Sequence, residues 1–275
     1  MATLRVPDIV TPPTQDCEKL RNAVQGLGTD EKAIIWILGH RNASQRRKIK
    51  ETYQELYKES LIDRLHSELS GDFRKAVILW AYDPPERDAR LANEALLQVI
   101  VEIACASSPH HLQAVRQAYC SLFDCSLEED ILRKLLVGLV SSYRYDKELV
   151  ESNLANSEAE KLHESILVFI LSTRNLYQLR ATFNCYQQNY GTPIKQLESL
   201  LKVVICCIES PEKHFAKVIG DSIIGLGTDE DSLTRAVVCR AELDMMKIRG
   251  EYFKTNLVAD DTSGDYKDFL MTLLG

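Results

Sequence analysis

Four stretches of the chain align with one another without gaps. They are ILGHRNASQRRKIKETY (37–53), IACASSPHHLQAVRQAY (103–119), ILSTRNLYQLRATFNCY (170–186) and VVCRAELDMMKIRGEY (237–252). Each closes on a tyrosine, Tyr53, Tyr119, Tyr186 and Tyr252, at intervals of 66, 67 and 66 residues. A fixed period of this length marks a chain built from repeated supersecondary units, each burying its apolar face against its neighbours. The period places repeats at 16–82, 86–153, 156–206 and 210–275, after a tail at 1–15.

Within a repeat the apolar spacing is helical. In the first, Asp16–Gln25, Asp30–His40, Ala43–Tyr57, Glu59–Leu69 and Asp72–Tyr82 read as five helices. Ile34, Ile37 and Leu38 share one face, as do Ile49, Tyr53 and Leu56. Asn42 suits the cap of the third helix, and Gly71 suits the end of the fourth. The other repeats follow the same order, with opening helices at Glu86–Leu97, Glu158–Ile166 and Glu212–Ile224. Closing helices fall at Leu132–Val140, Leu197–Cys206 and Tyr266–Leu274. No strand-like alternation intervenes, so the expected fold class is all-α.

Two repeats share a further element. GLGTDE stands at Gly26–Glu31 and again at Gly225–Glu230, each between a first and a second helix. Glycines one residue apart let a short loop take positive φ and turn its carbonyls outward. Outward carbonyls are hard oxygen ligands of the kind calcium takes, and a divalent ion also needs a carboxylate. Glu68 follows Gly28 by 40 residues, at the end of the fourth helix, and Asp261 holds the matching place after Gly227. Taken alone, GLGTDE would be a helix–helix turn capped by Thr29 or Thr228.

A Gly-x-Gly-Thr loop followed about forty residues later by Glu or Asp, in a four-repeat helical chain, resembles the annexin calcium site. The resemblance covers roughly residues 15–275, and loops in the first and fourth repeats only resemble the plant branch. It implies four repeats of about five helices in a curved disc, with both loops on the convex face. It implies calcium held by the carbonyls of Val24, Gly26 and Gly28 with the Glu68 carboxylate. A second ion would be held by the carbonyls of Ile223, Gly225 and Gly227 with Asp261. Water and a phosphate of an acidic phospholipid membrane would complete each shell. One carboxylate per ion predicts weak binding without lipid, about 10⁻⁴–10⁻³ M, and calcium and membrane binding that reinforce each other. Leu27 and Leu226, at the variable loop position, are placed to dip into the interface.

Charge and composition agree with that class. A net charge of −7 and a pI near 5.5 argue against nucleic acid as partner. They also argue against anionic lipid unless a cation bridges the two. The longest apolar runs, such as Ala33–Leu38 and Ile166–Leu171, fall far short of the roughly 20 residues that span a bilayer. The N-terminus has no apolar signal core, so a cytoplasmic location is expected, with peripheral membrane attachment on a calcium rise. Eight cysteines form no CxxC pair, which makes a zinc site unexpected.

The family resemblance carries other claims. One is a haem-dependent peroxidase-like activity, for which His40 is the candidate; a histidine ending a helix is already favoured by the dipole. Another is redox chemistry at Cys105 and Cys239, against which stands the reading of two buried, reduced thiols close together. A calcium-permeable conductance and a cytoskeletal partner are further alternatives, and the oligomeric state is open. No GxxxxGK[ST] or DxDxDG occurs, so neither a P-loop nor an EF-hand is expected. The leading expectation is a binding protein without catalytic turnover.

The chain also departs from the family pattern. Asp261 follows Gly227 by 34 residues, six fewer than in the first repeat, with the shortfall between Asn256 and Leu257. That predicts a weaker fourth site. In the second and third repeats the first helix runs straight into the second, at Leu97–Gln98–Val99 and Ser165–Ile166–Leu167. Ile131–Leu132 and Ile194–Lys195 are similar junctions, so segments present in a full-length relative are expected to be missing here. Arg41, Arg174 and Arg240 recur after the second helices and are expected to pair with acids or cap helix ends.

Overall fold

The structure is a computed structural model that describes residues 1–26, 28–94, 97–131, 199–224, 227–251, 258 and 261–275. Among them every regular element is a helix. In the first repeat these are α1 (Pro13–Ala23), α2 (Glu31–Gly39), α3 (Ala43–Tyr57), α4 (Leu61–Glu68) and α5 (Gly71–Ala81). The second contributes α6 (Pro84–Glu94), α7 (Leu97–Ala106) and α8 (Pro109–Phe123). Beyond lie α9 (Ser199–Glu209), α10 (Pro211–Ile223), α11 (Glu230–Arg240), α12 (Met245–Glu251) and α13 (Gly264–Leu274). Segment 170–186 and the helices expected at Leu132–Val140 and Glu158–Ile166 lie outside the described residues.

The repeat is visible in the backbone. Asn42 caps α3 by accepting from the Gln45 N–H, and Gln45 answers onto the Asn42 N–H, a reciprocal box. Ser108, one period later, caps α8 by accepting from the His111 N–H. Both helices end on a residue in the left-handed region, Lys58 at φ 56° and Asp124 at φ 53°. Gly71 does not end α4; it opens α5 at φ 60°, and Gly264 opens α13 at φ 59° in the same way.

The repeat-closing tyrosines are core residues with satisfied hydroxyls. Tyr53 accepts from Arg21 (3.2 Å) and donates to Glu59 (3.2 Å). Tyr119 accepts from Asn93 (2.9 Å) and donates to Asp130 (2.6 Å). A buried phenol needs such a partner, and this explains why the residue type marks the period. Tyr186 and Tyr252 lie outside the described residues.

The first and fourth repeats share one hydrophobic core. Helices α2 and α5 pack on α11 and α13, and Leu38, Phe73, Trp80, Val237, Phe269 and Leu273 belong to a single buried cluster. Fully burying such a side chain is worth about 1.5–3 kcal/mol. Polar groups fix the seam. Arg46 is buried, stacks on the Trp80 ring at 3.6 Å, and donates to the Arg41 carbonyl (2.7 Å) and the Glu242 carboxylate (2.9 Å). Glu242 also accepts from the Ala43 N–H at 2.6 Å. The N-terminal residues pack here too: the Thr3 N–H donates to the Ala241 carbonyl (3.1 Å) and its hydroxyl to the Leu273 carbonyl (2.6 Å).

Two of the three recurring arginines pair with acids. Arg41 forms a buried pair with Asp16 at 2.8 Å, and Arg240 pairs with Asp244 at 2.6 Å. Arg174 lies outside the described residues. In the second repeat only residues 95–96 separate α6 from α7. None of the described helices is long and apolar enough to cross a membrane.

Candidate functional site

The loop before α2 is built by its own sequence. The Asp30 N–H donates back to the Ala23 carbonyl at 2.8 Å, which closes the turn, and the Asp30 carboxylate caps α2 by accepting from the Ala33 N–H at 3.0 Å. The loop before α11 repeats both contacts, Asp229 N–H to the Ser222 carbonyl (2.7 Å) and Ser232 N–H to the Asp229 carboxylate (3.1 Å). The caps are therefore the aspartates of GLGTDE and not Thr29 or Thr228. Thr29 is hydrogen-bonded to Glu31, and Thr228 reaches across to the Asp261 carbonyl at 3.3 Å.

The loop glycines adopt the conformation only they take readily. Gly26 sits at φ 108°, Gly28 at φ 89° and Gly227 at φ 96°. A Cβ on any of the three would meet nothing within 4 Å. The requirement is thus the positive φ itself and not a close approach, and it serves to aim carbonyls. Leu27, Gly225 and Leu226 lie outside the described residues.

In the first repeat two of the four groups expected to share a cation, the Val24 carbonyl and the Glu68 carboxylate, lie beside one nitrogen. Nη2 of Arg64, on α4, donates to the Val24 carbonyl at 2.7 Å and lies 3.0 Å from Oε1 of Glu68. One nitrogen within hydrogen-bond reach of both oxygens means that carbonyl and carboxylate face a common point, and that the point accepts positive charge. A donor set of neutral carbonyls and one carboxylate fits calcium, a hard cation with oxygen ligands. Sequence reasoning missed Arg64. The signal available was its place four residues ahead of Glu68, one helical turn on the same face.

In the fourth repeat the backbone of Asp261 meets the loop through Thr228, although the spacing is six residues shorter. Asp261, Asp265 and Glu230 line a cavity of about 300 Å³ together with Ser70 and Asp72, which follow Glu68 in the first repeat. The acid-bearing ends of the two repeats therefore open onto shared space. Ile223 ends α10 as a buried residue. Among the described residues no three His, Cys, Asp or Glu side chains group closely enough to hold a metal, so a cation site here depends on loop carbonyls.

The other candidates have local roles. His40 directly follows α2; its Nδ1 donates to the Trp36 carbonyl at 2.9 Å and its ring stacks on the Trp36 ring at 4.3 Å. Cys105 and Cys239 are free thiols, and burial pushes each up to about 11. Both are protonated at neutral pH and therefore poor nucleophiles. Cys105 is one of the groups that push the Cys207 thiol up, after burial.

Comparison with known proteins follows the same lines. The Annexin family profile matches residues 15–80 and 214–273, the first and fourth repeats. Annexin D3 of Arabidopsis thaliana is 55% identical, with 100% of this chain and 99% of that protein covered. That alignment spans 318 positions against 275 residues, so at least 43 of its positions have no counterpart here. Among solved structures, chicken annexin V superposes with a TM-score of 0.81 at 30% identity, covering 100% of this chain and 98% of the other. A calcium-bound annexin (Sm)1 gives 0.77 at 28% identity, covering 100% and 93%.

Proposed function

This chain is a member of the annexin family, all-helical with four repeats in a curved disc, and from that premise we propose that it binds acidic phospholipid membranes reversibly through calcium. In the first site the carbonyls of Val24, Gly26 and Gly28 and the carboxylate of Glu68 hold the ion. In the fourth, the carbonyls of Ile223, Gly225 and Gly227 and the carboxylate of Asp261 do so. When bound, calcium supplies the positive charge that lets a protein of net charge −7 meet an anionic lipid phosphate. The protein acts as a binding module without turnover, cytoplasmic at rest and peripheral to the membrane when calcium rises.

The observation that carries this reading is the convergence of the Val24 carbonyl and the Glu68 carboxylate on one positively charged nitrogen. The cavity shared by Asp72 and Asp261 supports placing both sites on one side of the disc. A single carboxylate leaves the ion's charge half compensated, so a phosphate oxygen should be a favoured extra ligand. Calcium and lipid must then strengthen each other by the same factor. Calorimetric titration with calcium should give a midpoint at least about fivefold lower with phosphatidylserine vesicles present than with phosphatidylcholine vesicles. Equal midpoints would remove the bridging role.

A further inference from the structure

The group on the first site's oxygens is the protein's own. Arg64 Nη2 makes both of its contacts there, to the Val24 carbonyl at 2.7 Å and to Glu68 at 3.0 Å. These are two of the four groups assigned to calcium above. A guanidinium nitrogen and a calcium ion cannot occupy one position, and each would repel the other. We infer that Arg64 is a built-in latch on the first site: it holds the calcium ligands when calcium is low, and calcium binds only as the guanidinium leaves. The inference rests on the first site being a calcium site.

The latch is made to be released. Arg64 and Glu68 are each 28% exposed, so water reaches the pair and the side chain has space to turn outward. Nε of Arg64 is buried and makes no hydrogen bond. Leaving an N–H donor unpaired is costly, and swinging the guanidinium into water satisfies it. A partly exposed ion pair with one further hydrogen bond is worth little more than about 1 kcal/mol. The latch therefore raises the calcium requirement without abolishing binding, by about three- to tenfold. It also keeps the loop closed against α4 while no ion is present, because Val24 belongs to the loop and Glu68 to the helix. In the sequence of the fourth repeat a leucine, Leu257, and not an arginine stands four residues ahead of Asp261. The latch thus opposes the advantage that full spacing gives the first site.

The test is the calcium dependence of binding to phosphatidylserine–phosphatidylcholine vesicles for the parent, Arg64→Gln, Glu68→Gln, the double variant and Arg64→Lys. Melting curves of each variant confirm that it is folded. We expect Arg64→Gln to lower the calcium midpoint about three- to tenfold and Glu68→Gln to raise it. The double variant should lie within about twofold of Glu68→Gln, because the latch needs its carboxylate. Arg64→Lys keeps the charge but not the planar reach, so its midpoint should fall part of the way. It also carries the comparison if the glutamine variant fails to fold. If Glu68→Gln raises the midpoint while Arg64→Gln leaves it unchanged, the site stands and the latch is wrong. If Arg64→Gln lowers it equally with and without Glu68, charge repulsion at a distance is responsible and the latch is again wrong. If Glu68→Gln matches the parent, the first site itself fails, and the latch with it.

Discussion

Glu68→Gln should raise the calcium concentration needed for vesicle binding by at least about tenfold. The amide keeps the size of the side chain and its place at the end of α4, so the fold is undisturbed. It removes the one charged ligand of the proposed set, which is otherwise made of neutral carbonyls. Calcium affinity follows the number of charged oxygens more closely than the number of oxygens, because the divalent charge must be balanced. His40→Ala serves as the control. Its ring lies against Trp36 and bonds the Trp36 carbonyl, so the midpoint should stay within about twofold of the parent. Co-sedimentation across a calcium titration reads both variants. Coincident curves for Glu68→Gln and the parent would show that this carboxylate holds no ion.

Arg46→Ala should destabilise the protein by about 3–5 kcal/mol. Arg46 is 2% exposed and binds three structures at once: the Trp80 face, the Arg41 carbonyl and the Glu242 carboxylate. Burial pulls its proton affinity down, with Glu242 the main opposing influence. Removing the guanidinium opens a gap beside Trp80 and takes from Glu242 its charged partner across the seam, leaving it the Ala43 N–H. The first and fourth repeats share a core along this seam, so the loss should appear in global unfolding and not as local fraying. Urea unfolding followed by tryptophan fluorescence measures it. A change under about 1 kcal/mol would mean that the seam is held by apolar packing alone.

What the sequence made legible was the local and the periodic. Tyr53 and Tyr119 mark the period because each fills the same buried position and needs the same kind of polar partner. Asn42 announces α3 because its cap is complete within four residues. Gly26 and Gly28 announce the loop because no other residue takes positive φ so readily. The errors lie where neighbouring residues compete for one role. In Thr29–Asp30 the aspartate takes the cap because the Ala23 contact fixes its backbone there, and Gly71 opens a helix where its sequence equally suits closing one. Least legible were contacts made by the fold itself. Glu242 lies 196 residues from Arg46, and no spacing rule connects them. The Arg64 contact to Val24 spans 40 residues and two helices, and only their packing brings it about. The weaker fourth site expected from the short spacing before Asp261 turns on where its carboxylate falls, and the Thr228 contact fixes only its carbonyl.

Pelleting with vesicles is the most direct test of the central claim. The protein is mixed with phosphatidylserine-containing vesicles in the presence of calcium, the vesicles are spun down, and the pellet is washed with a calcium chelator. The account predicts protein in the pellet only when calcium and acidic lipid are both present, and its return to the supernatant on chelation. Protein that pellets equally without calcium, or that stays in the supernatant at millimolar calcium, would contradict it.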